Sequence, residues 1–545
     1  MTEEEWNNCV QLLNEAFSAY LELFWSEGGE AIHTMPEEWK RVRDVSLPAF
    51  LHYFNTGLLA SSEQVISRIE RYLMPFDRAL ARDFGISASD ALRIAAWISE
   101  QLEENVHQML VASRAEKDAR ETLLKKARSI DEARKLAQSS PYKEKMLAYL
   151  DSMNAVAEIR RNDLLSQFPE TGVAFWDVFS VSRGAGPQLT YPTERSVADT
   201  RPLIQLTNEV AKCPSVNTLY TAILSSAEEA LSKASERKSY FAHRDVTLES
   251  EAAAELKRIV GPSASVFQSV FETEDAQFEH DTVIVIDELA LFVEVKATPP
   301  MEPFRDPERA FIRLKRAFKS DTGIQKAFEQ AAQLSRRLDA GESVPLYDRH
   351  GQLLTTLQPG IVTNRFSVCV TRDNFGPLAT NLALLLEKKP PDQYPWAVNI
   401  FDLHAIADAW SYLHWGKKEL VDYLAFRIRA HGKVFGTDEL EYAGFHISHG
   451  SLRSAVENTA DLVQLNSHYS DFFDELYNHL HQGAPGPKRS VRAPVMMDLR
   501  ESLKKGEPVF VGKTVSGKNR NQPCPCGSGR KYKNCCWEKG RSPVP

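Results

Sequence analysis

Three charged side chains stand where strand-forming residues otherwise run almost unbroken. The stretch HDTVIVIDELALFVEVKA, residues 280–297, carries Asp281 at one end and Glu294 and Lys296 at the other. Charges in such a run are costly to bury unless they are paired or hold a metal. Strand side chains alternate faces, so Glu294 and Lys296 share one face and Val293 and Val295 the other. A tight turn centred on Glu288 and Leu289 pairs Asp287 with Ala290, sets Val283 against Glu294 and Asp281 against Lys296, and gathers the three charges at one end of a hairpin. Thr282, Ile284, Ile286, Leu291, Val293 and Val295 make the opposite, mostly apolar face. A slip of one residue would carry Asp281 to the wrong side.

Two carboxylates and a lysine so placed suit metal-assisted hydrolysis of a phosphodiester. Magnesium, or manganese, wants oxygen ligands and keeps several waters. Asp281, Glu294 and the Val295 carbonyl offer such ligands, and a metal there would lower the pKa of a bound water. Lys296 stands where it can orient that water and stabilise developing negative charge. The competing reading is an ion pair on an edge hairpin, which contributes little.

A second constellation lies near the end, in NQPCPCGSGRKYKNCCW. Cys524 and Cys526 form C-x-C, eight residues intervene, and Cys535 and Cys536 are adjacent. Four thiolates that can close on one ion at about 2.3 Å suit structural zinc. Gly527, Ser528 and Gly529 allow a tight turn and Pro525 stiffens the knuckle. Metal binding would supply folding energy that so short a segment cannot draw from a core. GEPVFVGKT is not a phosphate-binding loop, because the position five before Gly512 is Glu507 and Gly506 lies one residue too far back.

At Asp281 and Glu294-Val-Lys296 the sequence resembles the PD-(D/E)xK nuclease superfamily, the restriction-endonuclease-like fold, with His280 where the family's motif has proline. The resemblance spans roughly 240–480 and takes in DELEYAGF at 438–445. It implies a glutamate on the helix before the first strand, for which Glu249, Glu251 and Glu255 are all candidates and Glu251 is taken as the site residue. It also implies a glutamine on the following helix, Gln330 rather than Gln325. The cysteine tail resembles the SEC-C motif, the zinc module at the end of the SecA translocation ATPase, which implies contact with a protein or ribosomal partner.

The elements that must position these groups divide the chain. Residues 1–165 read as helices, among them the highly charged RAEKDARETLLKKARSIDEARKLAQ, an exposed helix or a coiled-coil arm. Residues 166–240 read as a connector with helices, around the Gly, Pro and Ser-rich SVSRGAGPQLTYPTERS. Residues 241–482 mix short β-rich runs, SVFQSVFE, DTVIVID, ALFVEVK and FSVCVTRD, with a helical PERAFIRLKRAFKSDTGIQKAFEQAAQLSRRL. Residues 483–520 form a basic linker and 521–541 the cysteine module. The expected class is therefore α+β and multidomain, with an all-α start and a central α/β core of restriction-endonuclease-like type.

Charge follows the same division. The net charge is −9, yet from Gly483 onward 14 Lys and Arg face 4 Asp and Glu, about +10, leaving about −19 elsewhere. RAFIRLKRAFK and SRRL add a local basic surface of the kind a phosphate-tracking protein needs. No apolar run reaches the length that spans a bilayer, and the acidic start MTEEEWNNCVQLLNEAF is not a signal peptide. A cytoplasmic protein without a membrane partner is expected, with Cys9, Cys213 and Cys369 as isolated buried thiols. The function expected is a metal-dependent nuclease, with DNA favoured over RNA by the family's usual substrates and bacterial defence against foreign DNA as its setting. Homo-oligomerisation is common among such nucleases. The alternative is a non-catalytic adaptor that recruits a partner through its tail.

Overall fold

The computed structural model describes residues 2–24, 34–55, 62–138, 140–188, 190, 194, 196–303, 306–458, 462–488 and 497–498. The chain divides into two compact units, Met1–Ile32 with Tyr53–Ser250, and His33–His52 with Glu251–Pro545. The expected boundary at 165 falls inside the first unit. That expected at 241 falls inside the helix Arg237–Val260, which crosses the division.

The first unit is mainly helical. The charged segment, 114–138, divides between the end of a 39-residue helix, Ala88–Lys126, and a short helix, Ile130–Ala137, and Ser140–Ala155 packs against the longer of the two. Ser87 caps the start of the longer helix by accepting from the Asp90 N–H. A small four-stranded sheet, which the sequence analysis did not foresee, joins Glu158–Arg160, Val210–Lys212, Leu203–Thr207 and Ser180–Ser182 in that order. Its strands hold three to five residues, too short for an alternation to register. Cys213 is buried as expected, whereas Cys9 lies exposed on the first helix.

The second unit is a mixed sheet with helices. The elements that build its main sheet and flank it include α1 (Glu37–Asn55), α2 (Arg237–Val260, shared with the first unit), β1 (Ser265–Phe271), β2 (Glu279–Ile286), β3 (Leu289–Lys296), α3 (Pro307–Phe318), α4 (Ile324–Asp339), β4 (Val344–Tyr347), β5 (Leu353–Leu357), β6 (Asn364–Thr371), β7 (Trp396–Asn399), α5 (Ile400–Tyr412), α6 (Lys417–Ala430) and α7 (Glu439–His449). The sheet runs β7-β6-β3-β2-β1-β4-β5. β3 pairs antiparallel with β2 and parallel with β6. Every residue of β3 from Leu289 to Val295 is buried, the pattern of a central strand covered on both faces. Only Lys296, at its end, comes out. The expected single helical stretch after β3 is two helices, broken at 319–323. There a Cβ on Gly323 would lie 2.3 Å from the Phe318 carbonyl oxygen. α4 then lays Ile324, Ala327, Phe328, Ala331, Leu334 and Leu338 on the sheet at helical spacing.

DELEYAGF is constrained at almost every position. Asp438 caps α7 by accepting from the Glu441 N–H at 3.0 Å. Glu439 is buried and accepts from Trp396 Nε1 at 2.7 Å, from the Tyr423 hydroxyl, and from Arg427 through Nε at 3.0 Å and a terminal nitrogen at 2.8 Å. Arg427, with no exposed surface, also donates to the Thr380 carbonyl at 2.9 Å and lies over the Tyr442 ring. At Gly444 a Cβ would fall 1.9 Å from the Tyr469 carbonyl oxygen, so no side chain fits. This stretch ties β7, α6 and α7 together.

Candidate functional site

The hairpin β2–β3 turns at Asp287 and Glu288, so Ile286 pairs with Leu289 and Val283 with Phe292. Asp287 takes the positive φ, +50°, that the turn requires. The expected register, with Val283 against Glu294 and Asp281 against Lys296, is therefore off by two residues. A shift of two leaves every side chain on its face, so Asp281, Glu294 and Lys296 still gather at one end.

That end is where the ladder stops. The pairing of β2 with β3 runs to Thr282 and Val293, and continued it would set Val295 against His280. Instead the Val295 N–H donates to Asp281 Oδ2 at 2.7 Å, a carboxylate taking the place of a strand carbonyl. The N–H and C=O of one strand residue point to the same side, so the Val295 carbonyl faces Asp281 as well. On the other flank Lys296 O accepts from the Arg372 N–H, in step with β6.

Alternation also breaks here. Phe267, Val283 and Phe292 pack on the core beneath α4, and so does Val270, an odd number of residues from Phe267. The change falls at Ser269, whose φ is +48°, and opposite it Asp281 is left out of the β1–β2 pairing. The irregularity brings His280 and Glu272 round to the side of Glu294. His280 Nδ1 lies 3.3 Å from Glu294 Oε1 and its Nε2 2.9 Å from Glu272 Oε1. Glu272 Oε2 accepts from Arg337 at 2.6 Å.

Glu294 has an exposure of 1%, and its Oε2 has no hydrogen-bond partner among the described residues. Lys296 Nζ stands 3.9 Å from that oxygen and 3.4 Å from Gln330 Oε1. Burial pushes the Glu294 carboxyl up to about 7, with the Asp281 carboxylate adding to the rise and His280 and Lys296 opposing it. Burial alone would lower His280, but its hydrogen bonds to Glu272 and Glu294 carry it up to about 9. An imidazole between two carboxylates donates from both nitrogens only when protonated. Cys369, paired with Glu294 across β3 and β6, is pushed up to about 12 by burial and is no nucleophile.

These shifts predict how stability follows pH. His280 is raised above its ordinary 6.5, so its contribution is fully present below about pH 6.5 and is lost as pH rises through about 9. Glu294, raised from 4.5 to about 7, acts in the same direction, since the unfolded chain ionises first. The melting temperature of the second unit should fall between pH 6.5 and 9, and a calorimetric series should find the slope flattened in His280→Ala. An equal slope in both proteins would exclude a charged His280.

The other expected residues are divided. Gln330 meets Lys296, while Gln325 is tied by both amide atoms to the backbone of Glu387, at 2.9 Å each. Among the described residues the hydrogen bonds and ion pairs of the Asp281, Glu294 and Lys296 side chains run to β2, β3 and α4, and none reaches Glu251 or its neighbours on α2. Glu255 instead pairs with Arg258 at 3.1 Å and with His404 at 3.7 Å. The further carboxylate near the centre is Glu272, which strict alternation hid. The basic surface is narrower than expected. Arg336 and Arg337 of SRRL are taken up by Asp392, Glu272 and Glu342, and exposed Arg309 and Arg316 on α3 remain as the basic ridge.

Among the described residues no three His, Cys, Asp or Glu side chains group to hold a metal ion. The donor set at the centre is two carboxylates and a backbone carbonyl. It fits a hard cation that keeps several waters, because Glu294 Oε2 is a buried oxygen that accepts no hydrogen bond from a described residue and its carboxyl is one that a cation would ionise. Cys524, Cys526, Cys535 and Cys536, the Gly506 and Gly512 stretch and the basic linker beyond 498 lie outside the described residues. Among the described residues no helix is long and apolar enough to cross a membrane.

In comparison with known proteins, residues 520–538 match the SEC-C motif. The chain is similar over short segments to protein translocase subunit SecA. The SecA of Azobacteroides pseudotrichonymphae is 66% identical over 35 residues, 6% of this chain and 3% of that protein. That of Nitratiruptor sp. is 56% identical over 89 residues, 16% and 10%. That of Clostridium kluyveri is 49% identical over 53 residues, 10% and 6%. The chain thus spans a tenth or less of the length of these relatives. No solved structure matches it significantly.

Proposed function

We propose that the second unit is a metal-dependent nuclease of the PD-(D/E)xK type, acting on phosphodiester bonds of DNA, with defence against foreign DNA as its setting. The observation that carries the reading is the gathering of Asp281, Glu294 and Lys296 where the β2–β3 ladder ends, with Glu294 Oε2 bare beside the Lys296 ammonium. Asp281, Glu294 and the Val295 carbonyl are the groups that would hold magnesium or manganese. Such a cation would supply a water of lowered pKa and neutralise charge on the phosphate. Lys296, steadied by Gln330, orients the attacking water and stabilises the negative charge that develops. The Arg309 and Arg316 ridge on α3 supports a polyanionic substrate. The test is incubation of the purified protein with plasmid, single-stranded DNA and RNA, each with magnesium or manganese, beside Lys296→Ala. Cleavage by the parent protein alone is expected, and no cleavage of any substrate would overturn the reading.

The SEC-C motif favours a second role for the tail, recruitment of a protein or ribosomal partner, with Cys524, Cys526, Cys535 and Cys536 holding zinc. Deleting residues 521–545 should abolish co-sedimentation with ribosomes and leave cleavage of naked substrate within about twofold, as expected of an independent metal-folded module. A full-length protein that sediments with ribosomes yet never cuts would instead be an adaptor.

A further inference from the structure

Glu294 is the buried end of a chain of alternating charge. From the surface it runs Glu342, Arg337, Glu272, His280, Glu294, with successive contacts of 2.9, 2.6, 2.9 and 3.3 Å. Side-chain exposure falls along it from 53% at Glu342 to 1% at Glu294. The chain draws on α4, β2, β3, the residue that follows β1 and the loop after α4. Stability alone gives no reason for it, because a buried ion pair is often matched or bettered by apolar residues of similar volume.

The backbone is also bent to make it. In an unbroken strand His280 would point away from Glu294, since Asp281 and Glu294 share a face. The left-handed Ser269 and the missing Ser269–Asp281 pair turn both strands so that Asp281 and His280 each reach the same centre. A non-glycine residue held at positive φ carries strain, which persists only where surroundings impose it. What the arrangement achieves is orientation. One oxygen of Glu294 is engaged and the other is left bare.

We propose that His280, braced from behind by Glu272 and Arg337, is a positioning residue that holds the Glu294 carboxylate with Oε2 turned toward a divalent cation. The inference rests on the nuclease reading for the identity of the site, but its test does not depend on cleavage. Outer partners of metal ligands are commonly worth about 10–100-fold in metal affinity. Manganese binding to the full chain, measured by titration calorimetry, should be lost in Glu294→Ala, which identifies the heat that belongs to this site. His280→Ala should then bind manganese about 10–100-fold more weakly. Glu272→Gln, which never touches Glu294, should bind about tenfold more weakly. His280→Asn, which keeps one N–H donor, should recover part of the loss.

A merely structural role would lower the melting temperature of these variants and leave manganese affinity unmoved. A folded His280→Ala that binds manganese within about twofold of the parent overturns the proposal. If His280→Ala does not fold, the near-isosteric Glu272→Gln decides in the same way. A parent protein that binds manganese through His280 and Glu294 but cuts no nucleic acid would refute the nuclease reading and leave the positioning role standing. Cleavage that persists with unchanged metal affinity in His280→Ala would do the reverse. A parent protein with no manganese site sinks both.

Discussion

Replacing Lys296 with alanine is expected to slow phosphodiester cleavage by roughly 10²- to 10³-fold, the loss typical of removing one group that stabilises charge developing in the transition state. Lys296 is the one residue of β3 that reaches the surface, and its contacts at 3.4 and 3.9 Å are too long to carry much stability. The fold should survive with a change of about 0.5 kcal/mol or less. Manganese affinity should also survive, since the ammonium is not a ligand and its removal relieves repulsion against a cation. Single-turnover rates on whichever nucleic acid the parent cuts would measure the effect. A Lys296→Ala protein that cuts at the parental rate would remove this lysine from the chemistry and with it the strongest reason for reading the site as hydrolytic.

The largest effect on stability is expected at the opposite kind of position. Arg427→Ala leaves the Glu439 carboxylate buried with the Trp396 and Tyr423 donors but no cation, and removes the guanidinium's hydrogen bond to the Thr380 carbonyl. Removing one member of a buried ion pair costs about 3–5 kcal/mol. Urea denaturation should show that loss in the transition of the second unit, with the first unit's transition unmoved if the two unfold independently. A loss below about 1 kcal/mol would mean that water reaches Glu439 once the guanidinium is gone.

The same two regions show what could be read in advance. Period-two alternation and the apolar runs at 283–286 and 289–293 were sufficient for the hairpin and for the common face of Asp281, Glu294 and Lys296. They were insufficient for the register, because Asp287 turns with a positive φ that nothing in its side chain demands. A shift of two residues is silent to alternation, so the face survived the error. His280 and Glu272 were hidden for the converse reason. Alternation assumes an unbroken strand, and a break at Ser269 carries no signal in residue type. Gln330 was named through the resemblance alone, and α4 brings it to Lys296. The short strands Val344–Tyr347, Leu353–Leu357 and Trp396–Asn399 were not legible, since four or five residues look alike in a strand and a buried loop. DELEYAGF stood out by resemblance, and packing explains why its residues are hard to exchange.

The path of the chain through the two units bears on how the protein is made. Val45 and Ala49 of α1 belong to the core beneath α3 and α4, and Ser46 donates to the Pro307 carbonyl at 2.7 Å. Yet between α1 and the rest of that core the chain completes Tyr53–Ser250. At a synthesis rate of about 5–20 residues per second, the apolar side of α1 waits roughly 13–50 seconds for the first of its partners, Phe311, to be made. The first unit can close during that interval, while the sheet cannot be finished without a helix translated long before it. A recombinant fragment beginning at Glu251 would omit part of its own core, and any expression of the sheet alone must graft residues 33–52 back on.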